Sequence, residues 1–172
     1  MLGRSRGQRE LLQGRIDLAV HSLKDLPTEA VAGLSLAAIP ERAPVGDALV
    51  SAWYASFDEL PLGAVVGTGS LRRRAQLLNA RQDLRMQDIR GNVDTRLRKL
   101  HEGQYDAIVL AEAGLRRLDL AHEITQVLPA SLILPAVGQG ALGVESRADD
   151  QAVRRAVAPL DHAPTRAAVI LR

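Results

Sequence analysis

The sequence predicts an α/β fold with a mostly parallel sheet, and three observations carry that prediction. Short apolar runs suited to strands alternate with amphipathic segments suited to helices along all 172 residues. Ala107-Ile-Val-Leu-Ala111 is apolar without interruption, as a strand covered on both faces must be. Gly63-Ala-Val-Val-Gly67 turns through Thr68, Gly69 and Ser70 into Leu71-Arg-Arg-Arg74, the pattern of a strand that passes through glycines into a helix.

Each element has a local reason. Glu10-Leu-Leu-Gln13 reads as the end of a helix, stopped by Gly14. Residues 16–20, 34–39 and 47–51 read as strands, the second ended by Pro40. The strand at 63–67 and its arginine helix come next, then a strand at 84–89 with Arg90-Gly91 as its turn. Asn92 caps a helix over 93–101 that Gly103 ends. Strands follow at 107–111, 132–134 and 140–145, and helices at 149–160 and 163–172 close the chain. In open α/β sheets ligands lie beyond the carboxyl ends of strands. His21-Ser-Leu-Lys-Asp25, the 67–74 turn, Arg90-Gly-Asn92, Ala113-Gly-Leu-Arg-Arg117 and Pro135-Ala-Val-Gly-Gln-Gly140 all fall at such places.

The 67–74 segment combines two devices for holding anions. A strand–glycine–helix turn leaves backbone N–H groups unpaired at the positive end of a helix dipole, which suits a phosphate or carboxylate. Arg72, Arg73 and Arg74 add guanidinium forks that grip carboxylates with paired hydrogen bonds.

Composition narrows the ligand. There is no cysteine, which excludes disulfides, thiolate metal sites and cysteine nucleophiles within these residues. His21, His101, His122 and His162 are scattered, so no metal site is expected. Lys24 and Lys99 are the only lysines among 22 basic residues, yet the net charge is only +2. Trp53, Tyr54, Phe57 and Tyr105 are the only aromatic side chains, too few to interleave stacking rings with charges along a nucleic acid. Small acidic ligands fit better. No stretch approaches the roughly 20 apolar residues of a membrane helix, and the N-terminus lacks the apolar centre of a secretory signal. A soluble, cytoplasmic protein is expected.

Five words of this sequence, in order, resemble the porphobilinogen deaminase (hydroxymethylbilane synthase) family. They are Asp17-Leu-Ala-Val-His-Ser-Leu-Lys-Asp-Leu-Pro27, Gly67-Thr-Gly-Ser-Leu-Arg-Arg73, Arg90-Gly-Asn-Val93 with Thr95-Arg-Leu97, Ala113-Gly-Leu-Arg-Arg117, and Leu134-Pro-Ala-Val-Gly-Gln-Gly140. The resemblance runs from about Leu11 to the end. It implies an enzyme that joins four porphobilinogen molecules head to tail with loss of ammonia and then hydrolyses the linear tetrapyrrole free. A dipyrromethane cofactor serves as primer, bound to a cysteine. Each pyrrole carries an acetate and a propionate, so arginines that neutralise mutually repelling carboxylates make physical sense.

The resemblance also implies roles. Asp25 is the catalytic carboxylate, stabilising positive charge as ammonia leaves the aminomethyl group. Lys24, Asp25, Thr68, Ser70, Arg72, Arg73 and Arg96 hold the cofactor; Arg90, Arg96, Arg117 and Gln139 contact substrate. Arg74 has no counterpart and is expected to be solvated. Gly138 and Gly140 permit a tight backbone crossing, and His21 packs under the site. Asp25, Arg72, Arg73, Arg96 and Arg117 are expected to serve one site.

For the fold, the family implies two similar domains with mostly parallel sheets, like type II periplasmic binding proteins. Residues 1–41 and 140–158 would form an incomplete first domain and 46–134 a second. Residues 159–172 would start a third domain, with hinges at 41–46 and 135–140. The chain departs from the family in three respects. Gly69 stands where many relatives have serine. Gly3-Arg-Ser-Arg-Gly-Gln-Arg9 does not replace the family's upstream strand–helix segment with its basic mobile loop. The cysteine of the third domain has no counterpart. The expectation is the central portion of a monomeric enzyme, inactive alone, with porphobilinogen as its only partner. The competing reading is a non-catalytic anion-binding module on the same fold, which needs the turn and its arginines but not Asp25.

Overall fold

A computed structural model describes residues 5–27 and 29–170. Met1 to Arg4, Thr28, and the last two residues of the predicted closing helix, Leu171 and Arg172, lie outside them. The chain divides into two compact units: the described residues up to Ala43 together with those from Val137 onward, and Pro44–Ala136.

In the first unit, α1 (Arg6–Leu12) starts on a capping box. The Ser5 hydroxyl accepts from the Gln8 N–H at 3.2 Å, and Gln8 Oε1 accepts from the Ser5 N–H at 3.0 Å. Strands β1 (Ala19–Ser22) and β2 (Leu34–Ala38) flank β8 (Leu142–Arg147), and both pair with it antiparallel. The strand predicted at 16–20 is displaced to β1. Pairing starts at Ala19↔Glu145, and the Ile16 carbonyl is taken by Arg147 Nη1 at 2.8 Å. Leu11, Ala19 and Leu34 form one small apolar cluster, and Ala38, Val144 and Val157 another. Helices α5 (Gln151–Val157) and α6 (Ala163–Ile170) close the unit. Around the start of α6, Asp161 Oδ1 accepts from the Ile39 N–H at 2.8 Å and Thr165 Oγ1 from the Arg42 N–H at 3.1 Å. Val169 packs with Leu23, Ile39 and Ala141.

The second unit holds five strands in the order β5–β4–β6–β3–β7. These are β3 (Asp47–Val50), β4 (Val65–Gly67), β5 (Arg85–Gln87), β6 (Ala107–Ala111) and β7 (Gln126–Leu128). The uninterrupted apolar run of β6 is covered on both faces. Ala107 and Val109 face a core with Leu49, Val66 and Leu77, while Ile108 and Leu110 face Ala48, Val50, Leu97 and Leu100. Thus α2 (Leu71–Ala80) covers one face through Leu77, and α3 (Val93–His101) covers the other through Leu97 and Leu100. The predicted strand at 132–134 is instead a turn, in which Leu132 and Ile133 both donate their N–H to the Pro129 carbonyl. Its apolar character serves the core, where Ile133 is buried. β7 was not predicted because its exposed Val127 and polar Gln126 hide the strand pattern.

Strand direction is more mixed than the alternation predicts. β4 pairs parallel with β5 and β6, but β3 is antiparallel to both β6 and β7. Four strands of this sheet therefore run one way and β3 runs against them; in the first unit β8 runs against β1 and β2. β3 and β8 are each the first strand formed after the chain passes from one unit to the other. No helix among the described residues is long and apolar enough to cross a membrane.

Candidate functional site

The predicted residues divide between the units. Lys24, Asp25 and Gln139 belong to the first; Thr68, Ser70, Arg72, Arg73, Arg90, Arg96 and Arg117 belong to the second.

In the first unit, β1 runs straight into a 3₁₀ turn, Leu23–Asp25. Leu23 is buried and anchors the turn by donating its N–H to the Ala141 carbonyl. Gly138, at φ 71, has a backbone conformation that strains any side chain, and a Cβ there would approach the Lys24 nitrogen tightly, at 3.3 Å. The turn therefore holds Lys24 half-buried and Asp25 exposed. Asp25 lines an open pocket of about 500 Å³ with Ser5, His21, Ser22, Leu26 and Pro27. Beneath it His21 Nε2 lies 3.1 Å from Glu145 Oε2, and Glu145 Oε1 accepts from Gln8 Nε2 at 3.3 Å. His21 is thus part of the pocket wall as well as packed under it. Gln139 is 1 % exposed and its carbonyl accepts from Arg42 Nε at 2.8 Å. Ala43 donates to the Gly140 carbonyl, so the segments before and after the second unit are hydrogen-bonded to each other here.

In the second unit, the turn between β4 and α2 forms as the sequence requires. Thr68 is buried, donates its N–H to Gln87, and its hydroxyl accepts from the Ser70 N–H at 3.2 Å. Ser70 caps α2 by accepting from the Arg73 N–H at 3.4 Å. At Gly69 an added Cβ would lie 3.2 Å from the Ile89 carbonyl, a tight approach. The three arginines that follow have three different fates. Arg73 is buried: Nε and Nη2 reach Asp47 Oδ1 at 2.9 and 2.6 Å, and Nη1 reaches the Val109 carbonyl at 3.0 Å. Arg72 is partly exposed and bridges Asp47 Oδ2, 2.7 Å from Nη2, and the Leu134 carbonyl, which Nη1 meets. Its Nε–H is buried and unpaired among the described residues. Arg74 is half-buried rather than freely solvated as expected, because Nη2 donates to the Met86 carbonyl of β5 at 2.8 Å.

Asp47 receives both guanidinium groups while only 1 % exposed. The sequence reading missed it, although an aspartate opening the apolar strand Asp47-Ala-Leu-Val50 is itself a signal, since buried carboxylates need partners. Burial is the main force pulling the Arg73 guanidinium below its ordinary value; Asp47 opposes it, and the positive charges of Arg72 and Arg96 add to it. Arg96 is thereby placed in the same electrostatic neighbourhood. It is held at the start of α3 by Nε donating to the Gly91 carbonyl at 2.8 Å. Gly91, at φ 115 and with Thr95 Cγ2 2.7 Å from a notional Cβ, admits only glycine. Arg90 is exposed, as is Arg117 at the end of α4 (Glu112–Arg117). The arrangement can present guanidinium N–H donors and a helix N-terminus to carboxylates.

A strand-reversed α/β unit repeated twice along one chain is the architecture of type II periplasmic binding proteins, and solved structures of that class share the fold. A nutrient binding protein from Burkholderia cenocepacia bound to methionine matches at TM-score 0.58 and 14% identity, over 90% of this chain and 75% of that one. An ABC transporter periplasmic substrate-binding protein from Coxiella burnetii matches at TM-score 0.58 and 15% identity, over 93% and 77%. Residues 6–155 match the family model described as porphobilinogen deaminase, dipyromethane cofactor binding domain. The chain belongs to the porphobilinogen deaminase family. It is 55% identical over 162 residues to the porphobilinogen deaminase of Desulforudis audaxviator, covering 94% of this chain and 52% of that protein. To that of Nitratidesulfovibrio vulgaris strain Hildenborough it is 58% identical over 156 residues, covering 91% and 50%. The chain thus spans about half the length of the curated relatives it matches.

Proposed function

We propose that this chain forms the central part of a hydroxymethylbilane synthase, which condenses four porphobilinogen units head to tail with loss of ammonia. The observation that carries the reading is the family match over residues 6–155, which spans both the Asp25 turn and the arginine cluster. Arg72 and Arg96, with the N–H groups around Ser70, take the acetate and propionate groups of the pyrroles. Arg90 and Arg117, exposed at element ends, extend the same positive surface. Arg73 contributes by fixing Asp47 and, through it, Arg72. Asp25 acts through its exposed carboxylate, accepting the pyrrole N–H and stabilising the positive charge that develops as ammonia leaves. Lys24 assists at a carboxylate of the same ligand. Gln139 acts as a scaffold, its carbonyl holding Arg42.

The dipyrromethane group supplies the primer terminus to which the first unit is joined. Its carboxylates suit the donors left on Arg72 and the Ser70 turn. Its thioether cannot form within these residues, which include no cysteine. Residues 1–41 with 140–158 correspond to one domain of the whole enzyme and 46–134 to another; the stretch 159–172, whose Val169 packs with Leu23 and Ile39 of the first, starts a third. The enzyme acts as a cytoplasmic monomer.

Calorimetric titration with porphobilinogen, paired with mass spectrometry under denaturing conditions, tests this. Weak binding that salt suppresses, with no covalent mass increase, is the expected result. No binding at low salt, or a two-pyrrole mass increase that survives denaturation, overturns it. Asp25→Asn should keep that binding within about twofold, and in a chain extended to the relatives' full length should cut turnover by about 100-fold or more.

A further inference from the structure

We propose that Asp47 is a positioning residue of the carboxylate site: it locks Arg73 inside the second unit and holds Arg72 by one edge, so that a single oriented guanidinium meets the ligand. The inference rests on the reading of this turn as a carboxylate site. Its basis is the division of labour on one buried carboxylate. Oδ1 takes both Nε and Nη2 of Arg73, and Oδ2 takes Nη2 of Arg72. Arg73 then spends Nη1 on the Val109 carbonyl, which leaves it internally committed. Arg72 is fixed at a second point by the Leu134 carbonyl. Gln76, one turn further along α2, holds that segment by accepting from the Leu134 N–H at 2.8 Å and donating to its carbonyl at 3.3 Å. A guanidinium held by two separate acceptors has lost most of its rotational freedom before any ligand arrives. Such preorganisation raises affinity by reducing what must be ordered on binding.

Positioning and simple charge predict opposite signs. Asp47 neutralises one of the two arginines, so an unordered electrostatic site would bind anions more tightly once Asp47 lost its charge. A positioned site would bind more weakly. Asp47→Asn and the double variant Asp47→Asn/Arg73→Met separate these, and the double variant also removes the uncompensated buried arginine that could prevent folding. It leaves the local net charge as in the parent chain while removing the carboxylate that anchors Arg72, together with the Arg73 bond to the Val109 carbonyl.

The first measurement needs no ligand: NMR of the Arg72 guanidinium group in the 172-residue chain and both variants. Slow guanidinium rotation in the parent and fast rotation in the double variant supports the proposal; equal rotation in both overturns it. The second is titration with porphobilinogen at fixed salt. About tenfold weaker binding by the double variant supports it, while unchanged or tighter binding overturns it. If the parent chain binds no porphobilinogen, the carboxylate reading itself has failed, and the ligand-free measurement tells that failure apart from a failure of Asp47 to restrain Arg72.

Discussion

The two units treat their charged residues differently. In the second, a carboxylate that is 1 % exposed gathers two arginines of α2, and the sheet around it has an apolar core on each face. In the first, Asp25 stands exposed on a three-residue turn above a core split into small clusters, and its support comes from backbone at Gly138 and Ala141. Charge that must be oriented before a ligand arrives is best held by a packed, low-dielectric frame, where a hydrogen bond is stronger and an error costs more. Charge on an exposed turn that lines an open pocket keeps reach and access instead. The difference between Asp47 and Asp25 is one of environment, not of chemistry.

That contrast can be broken most directly by deleting each carboxylate. Asp47→Ala leaves Arg73 buried without its counter-charge, and should destabilise the second unit by about 3–5 kcal/mol. Asp25→Asn should leave the unfolding midpoint unmoved. Denaturant unfolding, with amide exchange followed separately in β3 and β8, reads both; a second unit that tolerates Asp47→Ala would mean the pair is not what holds it. A smaller effect is expected where the turn approaches the core. An added Cβ at Gly67 would lie 2.9 Å from Tyr105 Cδ1 and 3.0 Å from Ile108 Cγ2. Gly67→Ala should therefore cost about 1–3 kcal/mol as an overpacked contact, measured in the same way.

The caps refine the comparison within the second unit. Asn92 accepts from the Thr95 N–H at 2.9 Å, whereas Ser70 reaches its Arg73 partner at 3.4 Å. Asn92→Ala should cost about 1 kcal/mol, and Ser70→Ala less, because the longer bond leaves less to lose. Equal losses would show that Ser70 caps α2 as strongly as Asn92 caps α3. The smallest effect concerns acid. The Arg81 guanidinium beside Asp83, helped by the Gly63 N–H, lowers its carboxyl from 3.8 to about 2. A depressed carboxyl stabilises the fold above its unfolded value and loses that contribution as pH falls through the folded one. Asp83→Asn should flatten the dependence of the unfolding midpoint on pH between about 4 and 2. In the first unit Asp161, lowered chiefly by Arg166, should retain its own slope in that variant. A Asp83→Asn profile identical to the parent's would remove Asp83 from the acid response.

Much of the architecture was legible where local rules act alone. The Asn92 cap with α3 over 93–101, the β6 run and the β4–α2 turn depend on residues close in sequence, and each formed as read. The local backbone of the Leu23–Asp25 turn and of the Ser70 and Asn92 caps was legible for the same reason, since a glycine turn or a strand end fixes its neighbours by short-range sterics. Strand direction, β7 and the turn at 132–134 were not, because each depends on which distant strand or core the segment meets.

By itself the sequence determined that arginines would stand at the start of α2 and an acid beyond β1, because backbone geometry places residues relative to their own element. Only the tertiary structure decided how those charges are spent. Arg72, Arg73 and Arg74 are adjacent in sequence and of one type, yet one is a bridge, one a buried prop and one a tie to Met86. A helix turns about 100° per residue, so adjacent side chains face different surroundings. What each guanidinium meets there, Asp47 above all, is brought from far along the chain by the sheet.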